Sequence, residues 1–431
     1  MFFKRFNKYI MLILLVICII LATVIFVPEP QVQNVVANKR VILPILISGG
    51  DASWKTCMEE VAREYMKENP NTEVVINATM EIDGIDYAKS LNIEDALGNF
   101  NGIVEMRNVG IYANDNKIIP LPKELTDLVN PVKTVNGKIY SIPRFYTCRG
   151  IMYNKTIFQE LGLNIPKTYY QFLNVCEQLK NAGISPLVIG AGNLWHLDNW
   201  INGLFSNDVK VKYPNWVDKK NNNEVSWQDP EIEQVLEDFK ILFDDGYVDQ
   251  YYQTTTDADT IEVLANGKAA MLYSGTWMFS QILKANPNFE LGWFFLPNHE
   301  DAPIVDLNGN VEWAISSNCE EDREVYKSAV DFLKFYYSED VYIRVLQNMN
   351  GISALKEELS YQTIEVQEEV IQAAGVRGKQ EGVVLGQEGT PEGFANVLYK
   401  SLIELGEGKR TVRETQQLLD KEWDKRNEND Q

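Results

Sequence analysis

Residues 269–274 form a short apolar run that is followed by two small residues, Gly275 and Thr276, and then by Trp277. The run is short enough to be a buried strand, and the polar turn Asn266-Gly267 precedes it. At the carboxyl ends of strands in an open α/β sheet, helix N-termini and loop amides converge around a crevice. An indole at that edge offers a flat apolar face and an N–H donor. The pattern predicts either a ring that stacks on a ligand or a core tryptophan packed under the sheet.

A second loop, after the apolar strand predicted at residues 185–190, concentrates aromatic and polar side chains. Within a few positions it holds Asn193, Trp195, His196, Asp198 and Trp200. Rings next to hydrogen-bonding groups suit a flat, partly apolar, hydroxyl-rich ligand such as a pyranose sugar. The alternatives are a helix start packed on the core for Trp195 and Trp200, and a capping or core histidine for His196.

Composition limits the classes of protein that this chain can belong to. Its 431 residues predict two lobes of about 150–200 residues each. The 9 Trp, 20 Tyr and 18 Phe exceed what a core alone needs and suit a ligand with apolar ring faces. The net charge is −21, and no cluster of Lys and Arg is present that could bind a polyanion, so a nucleic-acid partner is not expected.

Metal and cofactor sites are not expected from the cysteines and histidines. The five cysteines are far apart and form no C-x-x-C pair, and His196 and His299 are the only histidines. Two disulfides among Cys57, Cys148, Cys176 and Cys319 are one possibility, and scattered buried thiols are the favoured one.

The first 37 residues predict export. Lys4, Arg5 and Lys8 precede residues 9–27, which are apolar and uncharged. A basic segment followed by such a run is an export signal, and about 19 apolar residues are long for a cleaved signal but sufficient to span a bilayer. A polar linker with Pro28 and Pro30 follows.

A βαβ unit opens the exported part. Strands are predicted at residues 41–47 and 73–76, with an amphipathic helix between them that stops at Asn69-Pro70. The glycine-rich loop after the first strand holds Asp51 and Trp54. A carboxylate there can accept two hydroxyl hydrogen bonds, whereas the alternatives are a helix N-cap for Asp51 and packing on the helix face for Trp54.

Several motifs in order resemble one known family over residues 41–425. The motifs are Met152-Tyr153-Asn154-Lys155 with Phe158 and Leu161-Gly162-Leu163, then Gly267-Lys268-Ala269-Ala270-Met271, Gly275-Thr276-Trp277, Leu291-Gly292-Trp293 and Leu296-Pro297. Together they resemble the extracellular solute-binding proteins of ABC importers, in the sugar-binding class that includes maltose-binding protein.

The resemblance implies the two-lobed α/β fold of periplasmic binding proteins, with hinge strands and a preceding N-terminal hydrophobic helix. Residues 38–143 with about 312–340 would form the first lobe, and residues 144–311 with about 341–431 the second. Residues 1–37 would be the signal or anchor segment with its linker. The first hinge would lie at residues 144–148, and ligand binding would close the lobes.

The resemblance also implies a site between the lobes, and hence a binding protein rather than an enzyme. The candidate ligand-binding residues are Asp51, Trp54, Glu105, Arg107, Tyr146, Asn193, Trp195, His196, Trp277 and Trp313. The expected partners are a saccharide and the ABC permease subunits in the membrane, and the expected state is a monomer without cofactors on the extracellular face of the membrane.

Alternatives of other classes remain open. Relatives in Gram-positive bacteria are lipoproteins whose acylated cysteine follows a small residue, whereas here Ile17 precedes Cys18 in the middle of the apolar run. We therefore favour an uncleaved anchor in a Gram-positive-type bacterium, which also fits a sugar sensor or scavenger without an importer. A glycoside hydrolase would need two carboxylates about 5–10 Å apart, and no motif singles out such a pair.

Overall fold

The computed structural model describes residues 40–49, 52–79, 87–130, 134–309, 311–377, 380–381, 385, 389–391 and 393–430. Two predictions lie outside these ranges: the anchor and linker at residues 1–37, and the candidate ligand-binding residue Asp51. The chain divides into two compact units, Met1–Arg40 and Val41–Gln431, and the second contains the fold described below.

The described strands form two sheets. They are β1 (Val41–Ile47), β2 (Thr72–Ala78), β3 (Ile103–Met106), β4 (Ser141–Pro143), β5 (Thr147–Asn154), β6 (Ser185–Leu187), β7 (Ala269–Gly275), β8 (Leu291–Phe294), β9 (Asp306–Asn308), β10 (Glu312–Ile315) and β11 (Gln380–Glu381). The first sheet has the order β2-β1-β3-β10-β4, and the second has the order β11-β9-β5-β7-β6, with β8 also paired to β5.

Helices cover both sheets. They are α1 (Ala52–Glu68), α2 (Tyr87–Ala96), α3 (Val109–Asn114), α4 (Lys123–Thr126), α5 (Lys155–Glu160), α6 (Tyr169–Asn181), α7 (Trp195–Phe205), α8 (Trp216–Asn221), α9 (Pro230–Asp244), α10 (Asp257–Ala265), α11 (Phe279–Ala285), α12 (Arg323–Tyr336), α13 (Glu339–Met349), α14 (Glu365–Arg377), α15 (Phe394–Gly406) and α16 (Val412–Asp430). A π-helix spans Ser206–Lys210, and 3₁₀ turns span Thr276–Met278 and Ser317–Glu320.

The first lobe begins with the predicted βαβ unit. Strands β1 and β2 are parallel, and α1 buries its apolar face, including Met58, Val61 and Tyr65, in the core. Strand β3 is parallel to β1, whereas β10 returns antiparallel between β3 and β4. Asn136 and Gly137 form a tight turn, since both residues have positive φ and Val135 pairs with Lys138.

The second lobe is built on β5 and β7, which pair antiparallel, and β6 joins β7 in parallel. Helix α6 has an N-cap at Thr168, because the Thr168 side chain accepts a hydrogen bond from the Gln171 amide. Helices α15 and α16 pack on α9 and close this lobe. Their core contains mutually packed aromatic rings of Trp216, Trp227, Phe394 and Trp423.

Two chain segments cross between the sheets side by side. Residues 144–146 join β4 to β5, and Gly309 and Val311 lie between β9 and β10. The Arg144 amide donates to the Val311 carbonyl at 3.2 Å, and Tyr146 forms a bridge with Ile352 on a third segment. This arrangement has the form of a hinge.

Helix α13 begins near residue 340, where the boundary between the lobes is predicted. It packs against α1, where Asn348 lies beside Cys57 and Arg344 pairs with Glu64. The lobe boundary itself stays a prediction.

The four described cysteines are free and buried, as the favoured interpretation predicted. Burial raises the pKa of the Cys57 and Cys319 thiols to about 11, so these side chains behave as apolar core groups.

Candidate functional site

The carboxyl ends of β1 and β3 meet at one edge of the first sheet, next to the hinge. They are neighbours because the two strands are parallel, and Glu312 at the start of β10 pairs with both Met106 and Pro143 at the same edge. The sequence therefore brings the loop before α1, the residues after β3 and the first hinge segment together.

Trp54, Glu105 and Arg144 form one assembly at this edge. The Trp54 Nε1 donates to Glu105 Oε2 at 2.5 Å, and Arg144 pairs with Glu105 Oε1 at 3.1 Å. The Arg144 guanidinium also lies 4.4 Å from the centre of the Trp54 ring, a cation–π contact. Because Glu105 is 1 % exposed, these contacts compensate a buried charge.

Trp54 and Trp313 are core residues in this structure. They are 1 % and 0 % exposed, and their ring centres lie 5.9 Å apart. Phe145 packs edge-on against Trp54. Neither indole presents a face to solvent in this conformation, so packing on the helix face, the alternative for Trp54, describes its position. Ligand contact by the two rings stays a prediction.

Trp195 and Trp277 lie together at the edge of the second sheet. Strand β7 ends at Gly275, as predicted, and Trp277 follows in a 3₁₀ turn, while α7 begins at Trp195 after β6. Because β6 and β7 are parallel, their carboxyl ends share an edge, and the two indole centres are 6.3 Å apart at 54°. Both rings are partly exposed, whereas Trp200 is buried in the core.

His196 and Asn193 support this pair of rings. The His196 ring is 1 % exposed, stacks on Trp195 at 4.0 Å and donates from Nε2 to Asp257 Oδ1 at 2.9 Å. Asn193 Oδ1 accepts from the Asp257 amide at 2.8 Å. The contacts observed for both side chains hold the loop against the start of α10, and direct ligand contact by either remains a prediction.

Arg107 and Asp198 bring opposite charges from the two lobes toward each other. Arg107 follows β3 of the first sheet, and Asp198 lies on α7 beside the second. Burial raises the pKa of Asp198 to about 6. The interactions that oppose this shift come, in decreasing order, from Arg149, Tyr399, Asn202 and Arg107. A ligand site that includes both Arg107 and Asp198 stays a prediction.

Asp198 was present in the polar loop of the sequence but was not assigned to the site. Its fixed position comes from α7, where Asn202 one turn later donates to it at 2.6 Å. The four-residue spacing from Asp198 to Asn202 is the only feature of the sequence that indicates a fixed position for this carboxylate.

The sequence does not indicate a role for Arg149, because its ion-pair partner Asp306 is far away along the chain. The side chain is 2 % exposed and forms an ion pair with Asp306 at 2.8 Å. It also lies 3.4 Å from Asn199 on α7. The pair joins β5 to β9 at the hinge side of the second sheet and positions the start of β5 opposite Gly275.

Tyr146 occupies the hinge, as predicted. It is 7 % exposed, and its ring lies against Gly309 of the second crossing segment, where an added Cβ would fall 2.3 Å from the ring. Its position is that of a hinge contact, and ligand contact by Tyr146 is untested.

Comparison with known proteins identifies the family. Residues 60–374 match the family described as bacterial extracellular solute-binding protein. The chain belongs to this family. Its members bind solutes outside the cytoplasmic membrane, so the protein is a binding protein rather than an enzyme.

Individual relatives are distant in sequence and close in fold. A multiple sugar-binding protein of Streptococcus mutans is 24 % identical over 302 residues, which cover 66 % of this chain and 70 % of the relative. The diacetylchitobiose-binding protein DasA of Streptomyces coelicolor is 24 % identical over 239 residues, 54 % of this chain and 53 % of DasA. A chitin oligosaccharide-binding protein has a similar structure, with a TM-score of 0.79, 22 % identity, and coverage of 90 % of this chain and 100 % of that one. These structural neighbours confirm the two-lobed fold.

Membrane attachment is a separate question from the fold. Across the described ranges, no helix has both the length and the apolarity needed to cross a bilayer. The apolar residues 9–27 lie outside those ranges.

Proposed function

We propose that this protein captures a carbohydrate, in particular an oligosaccharide, between its two lobes and delivers it to the permease of an ABC importer. The observation that carries the proposal is the pair of partly exposed indoles, Trp195 and Trp277, at the sheet edge beside the hinge. Pyranose rings have apolar C–H faces that stack on such indoles. Two rings at 6.3 Å and 54° can contact adjacent sugar units.

Polar groups near the rings match the hydroxyl groups of a sugar. Asp198 can accept two hydroxyl hydrogen bonds, and Arg107 from the opposite lobe can donate to sugar oxygens. A ligand that contacts both residues binds the closed form more tightly than the open form, and this difference shifts the population toward closure.

The names of relatives support the carbohydrate class. They include proteins named for multiple sugars, for diacetylchitobiose and for melibiose, raffinose and stachyose. A structural neighbour at TM-score 0.74 and 18 % identity was solved in complex with raffinose. Two further relatives are named as extracellular-binding proteins of ABC transporters, which supports permease subunits as partners.

The apolar residues 9–27 support a protein that remains attached to the outer face of the membrane of a Gram-positive-type bacterium. Deleting residues 1–37 also removes the export signal, so the shortened protein should accumulate inside the cell as a soluble, folded protein, whereas the full chain should sediment with membranes. A full chain found only in the medium, with its N-terminus beyond residue 27, would contradict an uncleaved anchor. Attachment also fits a sugar sensor, and a histidine kinase gene rather than a permease gene beside this one would favour it.

A thermal-shift panel tests the carbohydrate proposal. The panel contains raffinose, stachyose, diacetylchitobiose and longer chitin oligosaccharides, with amino acids and short peptides as controls. A ligand that binds only the folded state raises the melting temperature, and titration calorimetry then gives its affinity. The sugar should be recovered unchanged after long incubation. A response to peptides alone, or to no sugar in the panel, would overturn the proposal.

A further inference from the structure

Three side chains from separate elements of the second lobe converge away from the paired indoles. Asp208 lies in the π-helix after α7, Asp238 lies on α9, and His299 lies in the loop after β8. One oxygen of each carboxylate and one nitrogen of the imidazole all lie within 4.8 Å of one another. Single-turn π segments inside helices occur frequently at functional sites, because they redirect side chains that an α-helix would place elsewhere.

Asp238 and His299 contact each other directly, and neighbouring side chains fix their orientation. His299 Nε2 lies 2.7 Å from Asp238 Oδ2, and Gln234 donates to the other oxygen of Asp238 at 3.0 Å. The Tyr169 ring centre lies 5.5 Å from that of His299, and its hydroxyl donates to the Asp238 carbonyl. The imidazole and the carboxylate are therefore oriented toward each other by contacts that do not involve Asp208.

Asp208 is the unusual member of the cluster. It is 9 % exposed, and among the described residues no hydrogen bond or ion pair reaches its carboxylate. A buried carboxylate without a direct partner is costly, and a cation between Asp208 and Asp238 would remove that cost.

We propose that Asp208, Asp238 and His299 bind a divalent transition-metal ion, for which Zn²⁺ and Mn²⁺ are the test ions. Imidazole nitrogen with carboxylate oxygen is a donor set for these ions, whereas Ca²⁺ and Mg²⁺ prefer oxygen alone. With bonds of about 2.0–2.2 Å, neighbouring ligand atoms lie about 3.0–3.5 Å apart, so an ion would widen the 2.7 Å between His299 Nε2 and Asp238 Oδ2 by less than about 1 Å. Asp208 then needs only a side-chain adjustment.

The geometry leaves room for solvent ligands and points to a structural role. The side chain of His299 is 41 % exposed, so the ion is reached from the surface and water completes its coordination. An ion here ties the π-helix to α9 and to the loop after β8 within one lobe. No sequence pattern predicts this site, because the three ligands are separated by long stretches of chain and match no ligand spacing.

The test uses the full-length protein in mild detergent, with any purification tag removed and metals stripped with EDTA. Titration calorimetry with Zn²⁺ and Mn²⁺ should show one ion per chain, and Ca²⁺ and Mg²⁺ should bind much more weakly. Co²⁺ should give a visible absorption spectrum typical of nitrogen and oxygen ligands, and added Zn²⁺ should abolish it. The melting temperature should rise with Zn²⁺.

Variants assign the ion to these residues. Asp208→Asn and His299→Ala should each weaken Zn²⁺ binding at least tenfold, whereas Asp218→Asn, at an exposed carboxylate on α8, should not change it. Without metal, Asp208→Asn should melt no lower than the wild type, which separates lost binding from lost folding. Absence of saturable Zn²⁺, Mn²⁺ and Co²⁺ binding would overturn the proposal. So would binding that survives Asp208→Asn and disappears in Asp257→Asn, because the ion would then belong to the His196–Asp257 pair.

Discussion

The Trp277 indole lies directly over the backbone of Gly275. A Cβ added to Gly275 would fall 1.8 Å from the nearest ring atom of Trp277. Gly275 has a φ of −114°, which any residue can adopt, so the space under the ring and not backbone strain requires glycine here. Two residues at the end of β7 thus fix where one of the paired rings lies.

Gly275→Ala should therefore displace the Trp277 ring while the lobe remains folded. We expect sugar binding to weaken by about 1–2 kcal/mol, within the range of overpacking effects, and the near-ultraviolet circular dichroism to change. Gly375→Ala is the matched control, since an added methyl there meets nothing within 4 Å. An affinity equal to that of the wild type in Gly275→Ala would mean that the ring position does not matter for binding.

Trp277→Ala should weaken sugar binding by about 1–3 kcal/mol, because a stacked, desolvated indole is lost. Calorimetry measures the affinity, and urea unfolding measures stability in parallel. Tyr170→Ala, which removes a surface ring that is 77 % exposed, is the control and should leave affinity unchanged. Unchanged affinity together with lowered stability in Trp277→Ala would make this residue a core tryptophan.

Local sequence patterns predicted the elements that carry these rings, because their signals lie within a few residues. The polar turn before β7 and the small residues at its end bound the strand. Thr411 and Glu414 form a capping box at the start of α16, another pattern within a few residues. The residues around Trp277 predict that its ring lies at the carboxyl end of β7. This end shares one sheet edge with the carboxyl end of β6 because the two strands are parallel.

Contacts between distant segments were not predictable in this way. Trp54 and Trp313 meet because β10 returns beside β3, and nothing in either local sequence shows that return. The Arg149–Asp306 pair depends in the same way on β9 joining β5.

Tyr342→Phe should destabilise the hinge by about 1–3 kcal/mol. The Tyr342 hydroxyl donates to the Arg144 carbonyl at 3.0 Å and accepts from the Ala354 amide at 3.1 Å. Removal of the hydroxyl leaves the buried Ala354 N–H without an acceptor, and this costs more free energy than the loss of a hydroxyl donor alone. Tyr337→Phe removes only a donor to the Pro143 carbonyl and should cost about 1 kcal/mol. Urea unfolding measures both, and equal losses would argue against a special role for Ala354.

Asp198→Asn should make stability less dependent on pH. Burial raises the pKa of Asp198 from its ordinary value of 3.8 to about 6, so the folded protein holds a proton that the unfolded chain has released between those values. The stability that this group contributes is present below about pH 4 and is lost as the pH rises to 6. A neutral amide avoids the loss, so the variant should be more stable than the wild type at pH 7 by up to about 3 kcal/mol and similar to it at pH 4.

Chemical unfolding of both proteins at several pH values between 4 and 7.5 measures this difference. Subtracting one free energy of unfolding from the other at each pH removes the contribution of the other buried carboxylates, which both proteins share. Sugar affinity at pH 7 should fall in Asp198→Asn, because an amide oxygen accepts more weakly than a carboxylate and the attraction to Arg107 across the cleft is lost. A stability gap that stays constant with pH would mean that Asp198 is ionised throughout and that the Arg149 and Arg107 charges outweigh its burial.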